Sequence, residues 1–489
     1  MESLGSILLG GEVARMIDRR EILDMATRMS LTPHVVEKDY ALGWILAGIN
    51  NHPVLRETWV FKGGTCLKKC FFETYRFSED LDYTLTDPGH LDAAFLKDAF
   101  TEIGEWVYER SGIEVPADKL AFDIYTNPRG SISCQGKLSY RGPISSRDLP
   151  RIKLDLTADE RLVLAPVRVG VFHPYTDAPD LGIEALAYAY EEVFGEKVRA
   201  LAERTRPRDL YDVINLFRNA EARPSPAVML DVLRQKCEFK GISVPVLADL
   251  EPHRAELEGL WQHMLAHQLP SLPPYEAFWD ELPAFFEWLS GGAEPAILAA
   301  YAVGVGETVL RERSLRLPVS GQAQSFIEVI RFAAGNRLLV DLDYQGSTRR
   351  IEPYSLRRTS DDNIILHAHS VDRDEHRSYR VDRIQGARVT NQPFSPRHEI
   401  ELAPQGPVRV APSVARPVTS LRARPQRTTR TTTAGRQAAA FGRPVHIYQC
   451  PICSKKFRRS KQDSHLNPHK NDWGGQCPGR TGFYVETKY

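Results

Sequence analysis

Hydrophobic and polar positions change period several times along this chain, and each change marks a different kind of element. Trp59-Val60-Phe61 is a short apolar run of strand character that breaks at Gly63-Gly64, after which the pattern predicts a helix beginning at Thr65. A second strand then carries Asp80 and Asp82 at alternate positions. From about Leu91 to Arg110 apolar residues recur at helical spacing and predict a long amphipathic helix. Arg151-Ile152-Lys153-Leu154-Asp155-Leu156 alternates as a strand with one buried face does, which puts Lys153 and Asp155 together on the other face. Strands and helices mix in this way to about Phe217. From Pro224 to about Arg313 the spacing turns mainly helical, with Trp261, Phe278, Trp279, Phe285 and Trp288 expected in the core. Beyond Phe326, four stretches alternate or run apolar between turn residues: Ile327 to Ala333, Arg337 to Tyr344, Ile364 to Leu366 and Ser378 to Val381. They predict a small, mostly β unit.

The expected organisation is α+β. A mixed unit spans 1–222, a helical support 223–313, a small β unit 324–402, a linker 403–444 and a tail 445–489. Between Ala403 and Arg443 the chain has no acid and is rich in Pro, Thr, Ala and Arg, so it cannot bury enough apolar surface to order itself and reads as a flexible, basic linker. At 489 residues the chain is too long for one core. Its 63 basic and 63 acidic residues cancel, so no global charge recruits nucleic acid or a membrane surface. No apolar run has the length of a membrane span, and Ile7-Leu8-Leu9 is too short for the core of a signal peptide; a cytoplasmic location without a membrane partner is expected. Cys66, Cys70, Cys134 and Cys237 are scattered, whereas Cys450, Cys453 and Cys477 crowd the end of the chain, a placement that suits metal ligation better than a disulfide framework.

The chemistry begins with Asp80 and Asp82. Two residues apart on a strand, their carboxylates project from one face and suit a hard divalent cation such as Mg²⁺. Gly63 and Gly64 remove the Cβ atoms that would keep a phosphate from backbone amides, and the helix start behind them adds partial positive charge. Asp155 is the candidate third carboxylate, as metal ligand or base. Together these features suit phosphoryl or nucleotidyl transfer.

Gly63-Gly64-Thr65 followed by Arg76-Phe77-Ser78-Glu79-Asp80-Leu81-Asp82 resembles the opening motif of polymerase-beta-like nucleotidyltransferases, and more closely that of the AbiEii/AbiGii-type toxins. Upstream, Val36-Glu37-Lys38-Asp39-Tyr40 resembles a helix of that family whose alternating charges would lie on a surface near the site. Downstream, Glu196-Lys197-Val198-Arg199 and Arg208-Asp209-Leu210-Tyr211-Asp212 resemble its later signature. The resemblance implies a polymerase-beta-like fold with a helical extension. It implies functional roles for Lys197 and Asp209, and an NTP held by Gly63, Gly64, Thr65, Arg76, Ser78 and Lys153. Asp212 and Arg199 are expected to make ordinary surface ion pairs. Members of the family act as toxins of toxin–antitoxin or abortive-infection systems, some on RNA such as the tRNA acceptor end. An RNA acceptor, tRNA first, and a cognate antitoxin are the implied partners.

The small β unit resembles a WYL-type domain through Asp343-Tyr344-Gln345-Gly346, Ile351-Glu352-Pro353-Tyr354-Ser355-Leu356 and Tyr379-Arg380-Val381-Asp382-Arg383-Ile384, although Ile364-Ile365-Leu366 replaces Trp-Tyr-Leu. That resemblance implies nucleic-acid or ligand sensing, for which Tyr354, Ser355, His367, Arg377, Arg380 and Arg383 are the candidate contacts. In the tail, Cys450-Pro451-Ile452-Cys453 has the spacing of a zinc knuckle. Cys450, Cys453, His469 and Cys477 are the expected Zn²⁺ ligands, with His465 as the alternative histidine, because Pro468 opposes a finger helix running through His469. Lys455, Lys456, Arg458 and Arg459 beside the knuckle favour nucleic acid, with Phe457 as a stacking or core ring. The competing reading is a nucleic-acid-binding regulator whose first unit does not catalyse. A protein acceptor in place of RNA would use the same site.

Overall fold

The computed structural model describes residues 17–72, 75–127, 130–144, 148–220, 222–293, 295, 298–300, 304, 306–310, 321–402, 445–450, 456–459, 465–470, 476–477 and 483–488. The linker expected over 403–444 lies outside them, as do Cys453, Lys455 and the side chains of Lys456, Arg458 and Arg459.

Seven strands build the first sheet: β1 (Trp59–Lys62), β2 (Asp80–Leu85), β3 (Ala121–Thr126), β4 (Ile132–Ser139), β5 (Arg151–Thr157), β6 (Val167–Val171) and β7 (Ile183–Ala187). Their order is β3-β4-β5-β2-β1-β7-β6. β2 runs parallel to β5, and β1 to β7, so a strand reached only after a long excursion lies directly beside the Asp80–Asp82 strand. Ahead of β1 come α1 (Arg19–Met29), α2 (Pro33–Asn51) and α3 (Leu55–Thr58). α4 (Gly63–Cys66) follows β1 and continues into a π-helical turn, Leu67–Phe71, so the helix starts two residues earlier than the pattern predicts.

One face of this sheet is packed shut. α2 is apolar nearly all round and buries residues from Val36 to Ile49, as a helix enclosed by protein does. α5 (Ala93–Ser111) covers β3: the Phe95 amide donates to the Asp92 carboxylate that caps the helix, and Gly112 ends it with a left-handed φ of 73°. Its Phe100 ring lies 5.4 Å from Phe122 and 6.0 Å from Trp59. Glu37 and Asp39, expected on a surface, are buried in α2, where Lys69 Nζ holds Asp39 at 2.7 Å; only Lys38 of that motif reaches out, to Glu79 at 2.8 Å. The other face carries Asp80 and Asp82. α6 (Tyr190–Arg204) and α7 (Pro207–Arg218) contribute side chains to a cavity beside them, and α8 (Pro226–Lys240) packs behind α6.

Trp261, Phe278, Trp279, Phe285 and Trp288 are buried, as their helical spacing predicts. A second, antiparallel sheet follows: β8 (Thr308–Val309), β9 (Leu338–Tyr344), β10 (Ser347–Arg358), β11 (Ile364–Ser370), β12 (Glu375–Arg380) and β13 (Ile384–Pro393), ordered β12-β11-β10-β9-β13 with β8 on β10. Ile327 to Ala333 does not open this sheet but lies in a helix, Gly321–Gly335. A short apolar run fits a buried helix as well as a strand, and the alanine pair Ala333-Ala334 favours the helix. The second unit is tied to the first by polar contacts. The Tyr211 hydroxyl donates to Asn336 at 2.8 Å, and Glu281 accepts from Arg218 at 2.8 Å and Arg337 at 2.6 Å. In the tail, β14 (Val445–Gln449) pairs with β15 (Lys456–Arg459) and β18 (Phe483–Lys488), while β16 (His469–Lys470) pairs with β17 (Gln476–Cys477).

Candidate functional site

Strand register assembles the acids. Asp82 lies opposite Lys62 on β1 and opposite Asp155 on β5, and Asp80 lies opposite Lys153. Because side chains alternate, Asp80, Asp82, Asp155 and Lys62 all project from the same face. They meet a cavity of about 320 Å³ whose other walls include Gly63, Gly64, Ser78, Glu196, Lys197 and Asp209. Burial, and then the neighbouring Asp155 carboxylate, push the Asp82 carboxyl up to about 6. Burial also raises Asp80, against the pull of Lys153 and Lys38. Asp155 accepts from Gln135 Nε2 at 3.2 Å.

The glycines are required here by close approach. Gly63 has φ +80°, a left-handed conformation, and a Cβ there would collide with the Asp82 carboxylate; a Cβ on Gly64 would come within 2.6 Å of Arg76 Nη2 and 3.1 Å of Ser78 Oγ. Gly63→Ala is therefore expected to cost about 1–3 kcal/mol of stability through backbone strain and to lower turnover about 100-fold by displacing Asp82. Urea unfolding and a turnover assay check it, and unchanged turnover would separate the glycine from the site. Thr65 does not face the cavity. It is buried, and its hydroxyl donates to the Asp80 carbonyl, so it fixes β2 rather than a nucleotide.

A lattice of buried charge surrounds the cavity. Arg76, expected on the nucleotide, is committed to Asp212: Nε and Nη2 each donate to it at 2.7 Å, and Nη1 donates to Gln268 at 3.0 Å. Lys197 lies 2.9 Å from Asp212 and 3.3 Å from Asp209, whose carboxylate also takes two bonds from Arg204, at 2.7 and 2.9 Å. Burial alone would raise Asp209, but Lys197 and Arg204 outweigh it and hold the carboxyl far below the usual range. Asp212 and Arg199 are not surface residues. Both are buried, Asp212 fully, because α6 and α7 pack together where a solvent-facing stripe was expected. In the cavity wall Lys62 lies 3.4 Å from Glu196, and outside the lining Lys236 lies 2.7 Å from Glu192.

Sequence reasoning did not single out Lys62, Glu196, Arg204, Arg206 or Arg208 as lining this cavity. The signal was present for four of them: Lys62 precedes Gly63, and the three arginines flank Asp209. Of the cavity's cations, Lys62, Arg76, Lys197, Arg199 and Arg204 are all in ion pairs, whereas Arg206 and Arg208 have none among the described residues. Lys153 stands outside the cavity, exposed on β5.

In the tail, Cys450, His469 and Cys477 are buried, with ligand atoms all within 4.8 Å of one another. His469 Nδ1 donates to the Asn467 carbonyl at 2.7 Å, which leaves Nε2 as the nitrogen free to ligate a metal. His465 is exposed and outside the group. Phe457 packs on this cluster, 4.7 Å from the His469 ring, as a core ring.

The second sheet presents fewer contacts than its sequence predicts. Tyr354 and Ser355, on the middle strand β10, are fully buried, and His367 on the neighbouring β11 is nearly so. The Tyr354 hydroxyl donates to Glu352 at 2.5 Å, so this ring is not a nucleic-acid platform. Arg377 and Arg380 are paired with Glu375 and Asp382, and Arg383 is exposed. No helix among the described residues is long and apolar enough to cross a membrane.

Residues 44–290, just over half of the chain, match the family described as nucleotidyl transferase AbiEii toxin, type IV TA system, and residues 325–389 match the WYL domain. No curated protein matched the chain. Among solved structures, MenT4, a nucleotidyltransferase toxin from Mycobacterium tuberculosis H37Rv, is similar over 56% of this chain and 90% of its own, at 20% identity and a TM-score of 0.40. The chain thus belongs to the AbiEii family of nucleotidyltransferase toxins and carries a WYL domain after its transferase unit.

Proposed function

We propose that the chain transfers a nucleoside monophosphate from an NTP to the end of an RNA, tRNA first, as the toxin of a toxin–antitoxin or abortive-infection pair with a cognate antitoxin. The observation that carries this reading is the register of Asp80, Asp82 and Asp155, which lines three carboxylates along one face of adjacent strands at a cavity floored by Gly63 and Gly64. Burial and mutual repulsion raise Asp80 and Asp82, so the donor set fits a hard cation that relieves both. Mg²⁺ held by Asp80 and Asp82 would neutralise phosphate charge and sharpen the acidity of the attacking hydroxyl.

The protein's own groups divide the remaining work. Gly63 and Gly64 leave their backbone amides open to phosphate oxygens, and Arg206 and Arg208, the cavity cations in no ion pair among the described residues, attract the triphosphate. Lys197 presents a point charge whose position Asp209 and Asp212 fix. Asp155 stands where the acceptor hydroxyl arrives and takes its proton. The hydroxyl oxygen bonds to the α-phosphorus, the bond from that phosphorus to the β-bridging oxygen breaks, and pyrophosphate leaves. Asp209, held ionised by its cations, serves position rather than proton transfer.

Zn²⁺ in the tail would be held by Cys450, His469 and Cys477, with Cys453 supplying the fourth ligand by its spacing. Its part is structural: so short a segment gains its core from the metal. The division into a transferase unit, a helical support, a WYL domain and a zinc tail is part of the same proposal, with the last two recruiting or sensing nucleic acid through Arg377, Arg380, Arg383 and the basic residues Lys455, Lys456, Arg458 and Arg459.

The test is incubation with Mg²⁺, each labelled NTP in turn and total RNA, beside an Asp80→Ala variant. Label on an RNA band from the wild type alone is expected, with fold and zinc content equal in both proteins. Label on protein instead would replace the acceptor, and label on nothing would return the chain to the regulator reading.

A further inference from the structure

We infer that the open face of β5, β4 and β3 is the track along which the single-stranded end of the acceptor RNA reaches the carboxylates. This rests on the transfer reading above and names the surface it requires. Cross-strand register places Lys153 beside Asp80, and Lys137 beside Lys153 one strand further out. Arg151 is two residues from Lys153 on β5, about 7 Å along the strand. All three are exposed, and none is in an ion pair or side-chain hydrogen bond among the described residues. That contrasts with the cavity, where five cations are held by carboxylates.

The same face continues to β3. Ala121, Asp123 and Tyr125 pair with Lys137, Gln135 and Ser133, so alternation puts them on the side of Asp80 and Asp155. Tyr125 leaves 43% of its surface exposed at the far end, a large ring on a polar sheet. On these three strands the face carries two carboxylates, Asp155 of the site and Asp123, against three free cations. The opposite side of β3 is closed by α5, through Phe122 on Phe100, so only this side is accessible.

Neighbouring strands lie about 4.8 Å apart, which puts Lys137 about 10 Å from the Asp80 row, within reach of the next phosphates of a bound strand. Unpaired cations for phosphates with an aromatic ring for an unstacked base is the chemistry of single-stranded nucleic-acid recognition. A duplex presents no free base face to Tyr125. A ring beside a row of unpaired cations suits an unstacked base next to its phosphates, which is why RNA is the occupant argued here.

The experiment compares the full-length wild type with Lys137→Glu/Arg151→Glu and with Tyr125→Ala, using an RNA hairpin that ends in a short single strand. Acceptor KM is expected to rise about tenfold in each variant, and the salt slope of RNA affinity to fall by about 1.4 in the double variant as two phosphate contacts are lost. The KM for NTP and the melting temperature should not move, because the substituted side chains are exposed. Unchanged acceptor KM with transfer intact overturns the track and leaves the transfer reading standing. Absence of label from the wild type overturns the transfer reading; the track is then judged on fluorescence anisotropy with the same hairpin, kept if the variants bind more weakly and overturned if they bind equally. Protection of these residues by an acidic protein and not by RNA also overturns it.

Discussion

Asp82→Asn is expected to lower nucleotide transfer at least about 1000-fold and, in metal-free buffer, to raise the melting temperature by a few degrees. The two effects have one cause. Asp82 is held among Asp80 and Asp155 in a partly closed cavity, and burial followed by the Asp155 charge push its carboxyl up to about 6. A full pKa unit corresponds to about 1.4 kcal/mol, and solvent in the cavity screens part of it, so ionised Asp82 costs the fold on the order of 1–2 kcal/mol at neutral pH. Asparagine keeps the shape against Gly63 and removes the charge. It also removes the strongest reason for a cation to bind, so Mg²⁺ should raise the melting temperature of the wild type and leave the variant unmoved. Thermal melts in EDTA and in Mg²⁺, run beside a transfer assay, read all of this. A variant that melts below the wild type in EDTA would show that the carboxylate is a structural partner and not a charge kept for a ligand.

What the sequence disclosed follows the range over which its physics acts. Asp80 and Asp82 are two apart on one strand, and Lys153 and Asp155 on another, so the face each pair occupies was legible from period alone. That β2 and β5 are parallel neighbours was not, because β3 and β4 intervene in sequence and strand order leaves no mark on any one strand. Lys197 and Asp209 entered through family resemblance; helical spacing by itself gives a charged face, and it suggested that Asp212 was solvated. The packing of α6 on α7 buries that charge, and only the fold shows that Arg76 has come from before β2 to meet it. Tyr354 and Ser355 look like an exposed polar edge until β10 is found at the centre of its sheet. Ile327 to Ala333 forms a helix where its pattern predicts a strand, because short apolar runs carry no decisive period.

Asp212→Asn is the second large effect, and its direction is opposite to that of Asp82→Asn. Asp212 is the acceptor for the Tyr75 hydroxyl at 2.9 Å, for Arg76 through two bonds of 2.7 Å, and for Lys197 at 2.9 Å. Burial would raise its carboxyl, but Arg76 and Lys197 outweigh that and hold it below the usual range. Removing the charge strands the Arg76 guanidinium in protein and leaves the Lys197 ammonium with Asp209 alone, a loss of about 3–5 kcal/mol. The sign with pH follows from the depressed carboxyl. The stability Asp212 contributes is fully present above the unfolded carboxylate pKa, near 4, and is lost as pH falls through its lower folded value. The wild type should therefore lose stability steeply below about pH 4, and the variant should lose less there. Transfer should fall with stability, since Arg76 also packs against Gly64 and Lys197 loses one of the two acids that position it. Arg76→Gln added to Asp212→Asn should restore part of the lost stability, because the second change removes the stranded guanidinium. Asp382→Asn, which breaks only the exposed pair with Arg380, should leave the melting temperature unmoved. Equal and additive losses for Arg76→Gln and Asp212→Asn in urea unfolding would mean the two are not coupled, and the buried lattice would then have no role in holding α7 against the cavity.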